Sequence, residues 1–276
     1  MSSWQSDDVT ANGIRIHYNR TGGAKSTLVL FHGFSDNGLC WTPLARQLEA
    51  ERDIILPDLR AHGLSEAPEQ GYTMDDLVQD ALALLDALHL QSTAVGGHSL
   101  GAMVAAGLAA QAPERVSRLV LEDPGWVDPS VFVQSKDTIQ AAQSQFEVLV
   151  HMQEMPLDQV IAAGKQANPA WSDDELLPWA QSKQQISPSA LNFLSALTAS
   201  APEPWQDVAR RLAMPTLLIT GDNARGSIVT PQIAAEAVAL NPRIRVVHLA
   251  GAGHNIRREA FEPYVQAVRQ FLAEGE

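Results

Sequence analysis

The most informative residues for chemistry are a serine, a histidine and three carboxylates that fall in loops after apolar segments. Gly97-His98-Ser99-Leu100-Gly101 fits G-x-S-x-G. It follows the apolar run Thr93–Gly96 directly and opens a helical pattern, the setting of a nucleophile elbow. Such a turn is sharp. Small residues at both glycine positions let strand and helix approach, and the serine oxygen stands clear at the sheet edge. The helix N-terminus offers backbone N–H groups to a developing anion. A serine there could also serve only as a helix N-cap. As a nucleophile it needs a base. Among eight histidines, His254 in Gly251-Ala252-Gly253-His254 is best placed, in a loop just after the last apolar strand. His248 lies within that strand. His98 is expected to point away from Ser99, and His32 and His62 to organise loops. The histidine needs a carboxylate to fix its tautomer and steady the imidazolium. Asp222 follows the TLLIT segment, and Glu122 and Asp123 follow RLVL. All three leave the correct edge, and the residues alone leave the choice open. Pro124 should bias Asp123 toward extended backbone. For the oxyanion, the backbone N–H groups of Leu100 and of Phe34, in the His32-Gly33-Phe34 loop, are the expected donors.

The elements that must position these groups are legible as patterns. Asn12-Gly13 between two strand segments, 9–11 and 14–18, is a two-residue hairpin signal. TLVLF at 27–31 and DIIL at 53–56 are apolar runs of the kind buried on both faces. Met74, Leu77, Val78, Ala81, Leu84, Leu85 and Leu88 recur at helical spacing, and Thr73 with Asp76 resembles a capping box. A second helix runs from Ser99 to Gln111, with small residues on its surface. RLVL at 118–121 follows. Near the C-terminus come TLLIT at 216–220, a helix opened by Thr230-Pro231, a strand at 244–249 and a last helix. Strand and helix alternating in this way predict a parallel sheet covered on both faces.

Between about 124 and 205 the pattern is helical throughout, with candidates at 134–154, 157–166, 173–185 and 189–198 and prolines between them. We read it as an insertion between two strands of one sheet. It holds Trp126, Trp171, Trp179 and Trp205, four of the six tryptophans, with Phe132, Phe146, Phe193, Met152 and Met155. These either form the insertion's own core or line an apolar cleft beneath it.

Composition bounds the function classes. The 276 residues are 45% apolar and 18% charged, ordinary for a globular chain. A net charge of -13 is unfavourable for binding phosphate backbones or anionic membranes. No run reaches the roughly 18 apolar residues of a membrane span, and the N-terminus does not look like a secretory signal. A cytoplasmic protein is therefore expected, as a monomer or homodimer. Cys40 is the one cysteine, so no internal disulfide can form. No histidine–cysteine cluster has zinc spacing, and neither a metal nor an organic cofactor is expected. Cys40 is read as a small apolar residue.

Together these motifs resemble the α/β-hydrolase superfamily over nearly the whole chain. In family order stand His32-Gly33-Phe34, the loop Asp58-Leu59-Arg60-Ala61-His62-Gly63-Leu64-Ser65, the elbow at 97–101, a helical cap and the loop at 251–254. The second resembles the family's D-x-R-G-x-G-x-S, with Ala61 for the usual glycine. The resemblance implies an eight-stranded, mostly parallel sheet. It implies core segments at 1–123 and 206–276 with a cap at 124–205 after strand six. It also implies Ser99 as nucleophile and His254 as base. Most members carry the acid after strand seven in G-x-x-D, where this chain has Ala224. A minority, including haloalkane dehalogenases and zearalenone-type lactone hydrolases, carry it after strand six. Asp123, 24 residues beyond Ser99, matches that placement. A serine rather than an aspartate nucleophile favours attack on an acyl carbon. The expected activity is hydrolysis of a small apolar ester or lactone. Amide cleavage, carbon–carbon bond hydrolysis and ligand reception with little turnover are the alternatives.

Overall fold

The apolar runs become the centre of an eight-stranded sheet. The computed structural model describes residues 4–127, 147–199 and 203–274. The strands are β1 (Gln5–Ala11), β2 (Ile14–Arg20), β3 (Thr27–Phe31), β4 (Asp53–Pro57), β5 (Thr93–His98), β6 (Val116–Glu122), β7 (Thr216–Thr220) and β8 (Ile244–His248). Their order is β1-β2-β4-β3-β5-β6-β7-β8. β1 pairs antiparallel with β2, and β2 with β4; every later pair is parallel. Asn12 and Gly13, at φ 50° and 79°, make the tight turn between β1 and β2, whose twist suits two-residue hairpins. The first two strands run longer than their apolar cores suggested, because their outer ends are polar.

Two apolar layers sandwich the sheet. One lies beneath α2 (Met74–Ala87) and α3 (Leu100–Gln111) and includes Leu77, Leu84, Val104 and Leu108. The other joins Leu44 and Leu48 of α1 (Thr42–Leu48) to Tyr264, Val268 and Phe271 of the helix Phe261–Ala273. The capping box forms as expected. Asp76 N–H donates to Thr73 Oγ1 at 3.2 Å, and Thr73 N–H to Asp76 Oδ2 at 2.8 Å. Thr230 caps its helix through Ile233 N–H at 3.2 Å. Several short helices carried no periodic signal, α1 and Trp205–Arg211 among them.

Among the described residues, only helices lie between β6 and β7. They are 147–154, Leu157–Ala167, Asp173–Gln185, Leu191–Ala199 and Trp205–Arg211. The rest of the 134–154 candidate, with Phe132 and Phe146, lies outside the described residues. Pro178 does not separate elements; it sits within Asp173–Gln185. Trp126 and Trp205 stack with ring centroids 5.1 Å apart and join the main core with Phe193. Trp171, Trp179 and Met152 instead face a cavity. Trp171, Trp179 and Met152 thus line a cleft, as one of the two readings held, while Trp126, Trp205 and Phe193 join the main core instead of a core of the insertion's own. No helix among the described residues is long and apolar enough to cross a membrane.

Candidate active site

Parallel strands deliver their C-terminal ends to one edge of the sheet. There, β3 leads into 32–36, β5 into Ser99, β6 into Asp123, β7 into 221–229 and β8 into 249–255. Ser99 sits between β5 and α3 with φ 52° and ψ -115°, and its side chain makes no cap hydrogen bond. A helix-capping role is therefore not what holds this serine. Its strained backbone is fixed by neighbours: Ser99 N–H donates to Glu122 O at 2.9 Å. A Cβ at Gly97 would run into Gly101, and one at Gly101 into the carbonyls of Phe31 and His32. Glycine at both positions permits the close strand–helix approach that presents the Ser99 oxygen.

Asp123 is fully buried, with 0% exposure. Its carboxylate accepts from Ser227 Oγ at 2.8 Å, Ile228 N–H at 2.8 Å and Val229 N–H at 2.9 Å. It also lies 2.6 Å from His254 Nδ1. With the carboxylate already accepting from three donors, Nδ1–H is its fourth, and in the neutral ring that leaves Nε2 with its lone pair. The expectation of extended backbone before Pro124 is wrong. Asp123 has φ 42°, held by these bonds and by its own N–H to Ile219 O at 3.0 Å.

The other two carboxylates are elsewhere engaged. Asp222 faces solvent, takes Gly251 N–H at 2.7 Å and pairs with His248 Nε2 at 3.0 Å. Its carboxyl is lowered by the Gly251 bond and then by His248. Glu122 is buried and receives Arg257 N–H at 2.8 Å and Arg257 Nη1 at 3.3 Å. Burial raises its carboxyl against the pull of Arg257.

Phe34 lines the same cavity as Ser99, and Leu100 follows Ser99 directly in the chain. Leu100 is the first residue of α3, so its N–H lies among those the helix leaves unpaired. The Phe34 N–H donates to no acceptor among the described residues. The loop of Phe34 is organised by His32 and His62, whose rings lie together beside it. His32 Nε2 accepts Leu59 N–H at 2.9 Å while its Nδ1 donates to Gly33 O at 2.8 Å. Burial and the nearby His62 push His32 down to about 3, and burial takes His62 to about 4, so both stay neutral. Ala61, in place of the usual glycine, takes φ 60°.

A cavity of about 650 Å³ opens over these groups. Ser99, His254, His98 and Phe34 line it, together with Trp171, Trp179 and Met152 from the segment between β6 and β7. The Ser99 hydroxyl has no hydrogen-bond partner among the described residues.

Two features escape sequence reasoning. First, His98 was expected to point away from Ser99, but its ring reaches the same cavity. It packs on His254 with centroids 4.6 Å apart, and Nδ1 is 3.6 Å from Glu122 Oε1. Burial, then the charges of His254 and Arg257, hold it well below the usual histidine range. A Cβ on Gly33 would lie 2.7 Å from its ring, so Gly33 makes its room.

Second, Asp36 is a buried hub for three cations. It accepts from Lys183 at 3.1 Å, Arg257 at 3.2 Å and Arg258 at 2.9 Å. Burial raises its carboxyl, but Arg258, Lys183 and Arg257 outweigh this and hold it well below the ordinary value. Cys40, also buried, is pushed up to about 11, first by burial. That agrees with an inert, apolar role.

The family model described as alpha/beta hydrolase fold matches residues 26–257, and the chain belongs to that family. An N-formylmaleamate deformylase from Pseudomonas putida is 29% identical over 96% of this chain and 95% of its own. A 2-(acetamidomethylene)succinate hydrolase from Mesorhizobium japonicum is 27% identical over 94% and 92%. Among solved structures, an E-2-(acetamidomethylene)succinate hydrolase superposes with a TM-score of 0.81 at 23% identity, covering 98% of this chain and 99% of that one. An enol-lactonase from Burkholderia xenovorans superposes with 0.73 at 23% identity, covering 97% and 100%. These superpositions speak for the fold.

Proposed function

We propose that this protein is a serine hydrolase that cleaves a carboxylic acyl bond of a small molecule through an acyl-enzyme on Ser99. The observation that carries this reading is the 2.6 Å contact between buried Asp123 and His254 Nδ1, beside a strained, uncapped serine in one cavity. Asp123 orients His254 and favours its imidazolium. His254 Nε2 takes the Ser99 proton as Oγ attacks the carbonyl carbon. The Phe34 and Leu100 N–H groups receive the oxyanion, an effect worth about 3 kcal/mol per donor. The protonated His254 then gives its proton to the leaving oxygen or nitrogen. Water activated by the same histidine releases the acid and restores Ser99. Residues 124–205 act as the cap and shape the cavity above this machinery, between core segments 1–123 and 206–276.

Serine chemistry supports an ester or lactone, whose alkoxide is the easier leaving group. The names of the two full-length relatives support a second reading: an acyl–nitrogen bond in a small molecule that also bears a carboxylate. The test compares turnover of short p-nitrophenyl esters, a γ-lactone and an N-formyl or N-acetyl enamine acid by wild type and Ser99→Ala. Turnover of at least one class, lost in Ser99→Ala, with a fluorophosphonate adduct at Ser99, is expected. Equal turnover in both proteins, or a folded wild type that hydrolyses none and takes no label, overturns the reading.

A further inference from the structure

Glu122 is the last residue of β6, and Asp123 follows it directly. Its carbonyl accepts Ser99 N–H at 2.9 Å. Its side chain crosses to the segment after β8. There Oε1 accepts the backbone N–H of Arg257 at 2.8 Å, and Oε2 meets Arg257 Nη1 at 3.3 Å. Arg257 lies three residues beyond His254, in the one-turn helix Ile256–Glu259. A single residue is therefore bonded to the serine turn, is chain neighbour to the aspartate, and holds the segment that carries the histidine.

The bond to Arg257 N–H answers a local need. The first N–H groups of a helix find no partner within it. Asn255, which precedes this helix, makes no side-chain cap. Its Oδ1 accepts from Arg258 Nη1 at 2.9 Å instead. Glu122 Oε1 takes up one of those N–H groups from across the sheet edge, over a separation of 135 residues. Asp123 is pinned on its other side by Ile228 and Val229 N–H. What remains to be set is how far the histidine segment stands from it. The Asp123–His254 contact of 2.6 Å leaves little slack.

Charge alone does not account for this carboxylate. Glu122 is fully buried, and a buried ion pair is a weak source of stability. Arg257 also has a second carboxylate, Asp36 Oδ2, at 3.2 Å. What Glu122 adds is an acceptor for the backbone N–H. We propose that Glu122 is a positioning residue: through Arg257 N–H it holds the segment of His254 at the distance from β6 at which Asp123 and His254 meet. This rests on the acyl-enzyme reading.

Two substitutions separate reach from charge. Glu122→Gln keeps the length and an oxygen for Arg257 N–H but loses the charge. Glu122→Asp keeps the charge but is shorter by one carbon–carbon bond, about 1.5 Å, which takes the bond to Arg257 N–H out of range. Thermal melting checks folding. Read are kcat, KM, the rate of fluorophosphonate labelling of Ser99 and the proton resonance of His254 Nδ1–H. Glu122→Asp should lower kcat and the labelling rate about 10- to 100-fold and shift that resonance, short of the loss of about 10⁴-fold expected for Asp123→Asn. KM should change little, since transition-state stabilisation is what weakens. Glu122→Gln should stay within about fivefold of wild type. In an Asp123→Asn background, Glu122→Asp should cost less than about threefold more, because the contact it protects is already gone.

A folded Glu122→Asp with wild-type kcat overturns the proposal. So does a Glu122→Gln loss as large as that of Glu122→Asp, or losses that multiply with Asp123→Asn. Should Glu122→Asp not fold, Glu122→Met tests the same link: it is as long as glutamate but offers no comparable acceptor. Its kcat should fall at similar KM, and an unchanged kcat overturns the proposal. If Ser99 takes no label and Ser99→Ala changes nothing, the acyl-enzyme reading fails and this inference with it. If Ser99 labels and turns over while Glu122→Asp matches wild type, only this inference fails.

Discussion

Among the described residues two serine–histidine–aspartate sets occur, and the one with the more complete hydrogen bonding is the poorer site. On the edge hairpin, Ser6 Oγ is 3.1 Å from His17 Nε2, and His17 Nδ1 is 2.9 Å from Asp8 Oδ1. Ser6 and Asp8 are exposed, two residues apart on β1, in ordinary strand backbone. Asp8 also meets Arg15 at 3.2 Å, and its carboxyl is lowered chiefly by the His17 hydrogen bond. The second set, Ser99, His254 and Asp123, lacks a serine–histidine hydrogen bond among the described residues. It has instead a buried carboxylate with four partners, a serine at φ 52°, a helix N-terminus behind it and a cavity above. The difference shows what makes a site. A relay of side chains is cheap to form on any pair of strands. A strained nucleophile beside unpaired N–H donors requires the whole sheet edge to be built for it. Catalytic hydrogen bonds often tighten only with substrate present, so the missing contact weighs less than the surroundings.

Single substitutions should tell the two sets apart. The largest expected effect is that of Ser99→Ala, a loss of about 10⁶-fold in kcat, against no change for Ser6→Ala, in the same hydrolysis assay. Asp123→Asn should cost about 10⁴-fold in kcat, since an amide can present the wrong group to His254 Nδ1. Circular dichroism should show the fold retained. Asp222→Asn should leave kcat within about threefold of wild type, because an exposed pair contributes little. Its effect belongs to stability and pH. The Asp222 carboxyl lies below the ordinary aspartate value in the folded chain, held there first by the Gly251 N–H. Its contribution is therefore fully present above the unfolded value and is lost as pH falls through the folded one. Melting curves of wild type and Asp222→Asn should differ slightly near neutrality and converge in acid. A gap that widens in acid would contradict that assignment.

The parts of the site that lie in contiguous motifs were legible from residue order. The elbow announces itself because glycine is required on both sides of Ser99. The loop holding His254 is marked by its place after an apolar strand, and Phe34 and Leu100 follow from backbone position alone. Asp123 and Asp222 could not be separated by local reasoning, since both leave the correct edge. What separates them is the 227–229 segment, whose N–H groups and Ser227 turn to Asp123 about a hundred residues further along. The hub at Asp36 left no signal. Lys183 and Arg258 are 147 and 222 residues away from it, and single charges at such separations look like surface residues. His98 was misjudged for a related reason. The side chain before a nucleophile was expected to turn away, but Gly33 leaves space for the ring against His254. The two Ala and Asp residues at positive φ, Ala61 and Asp123, likewise go against local preference and are held by tertiary bonds.

In the proposed site the carboxylate after β6, and not the one after β7, serves His254. The most direct test is a side-by-side measurement of kcat/KM for Asp123→Asn and Asp222→Asn, on whichever acyl substrate the wild type hydrolyses. Near-total loss is expected for the first and near-wild-type activity for the second. Loss confined to Asp222→Asn, with Asp123→Asn folded and active, would contradict this.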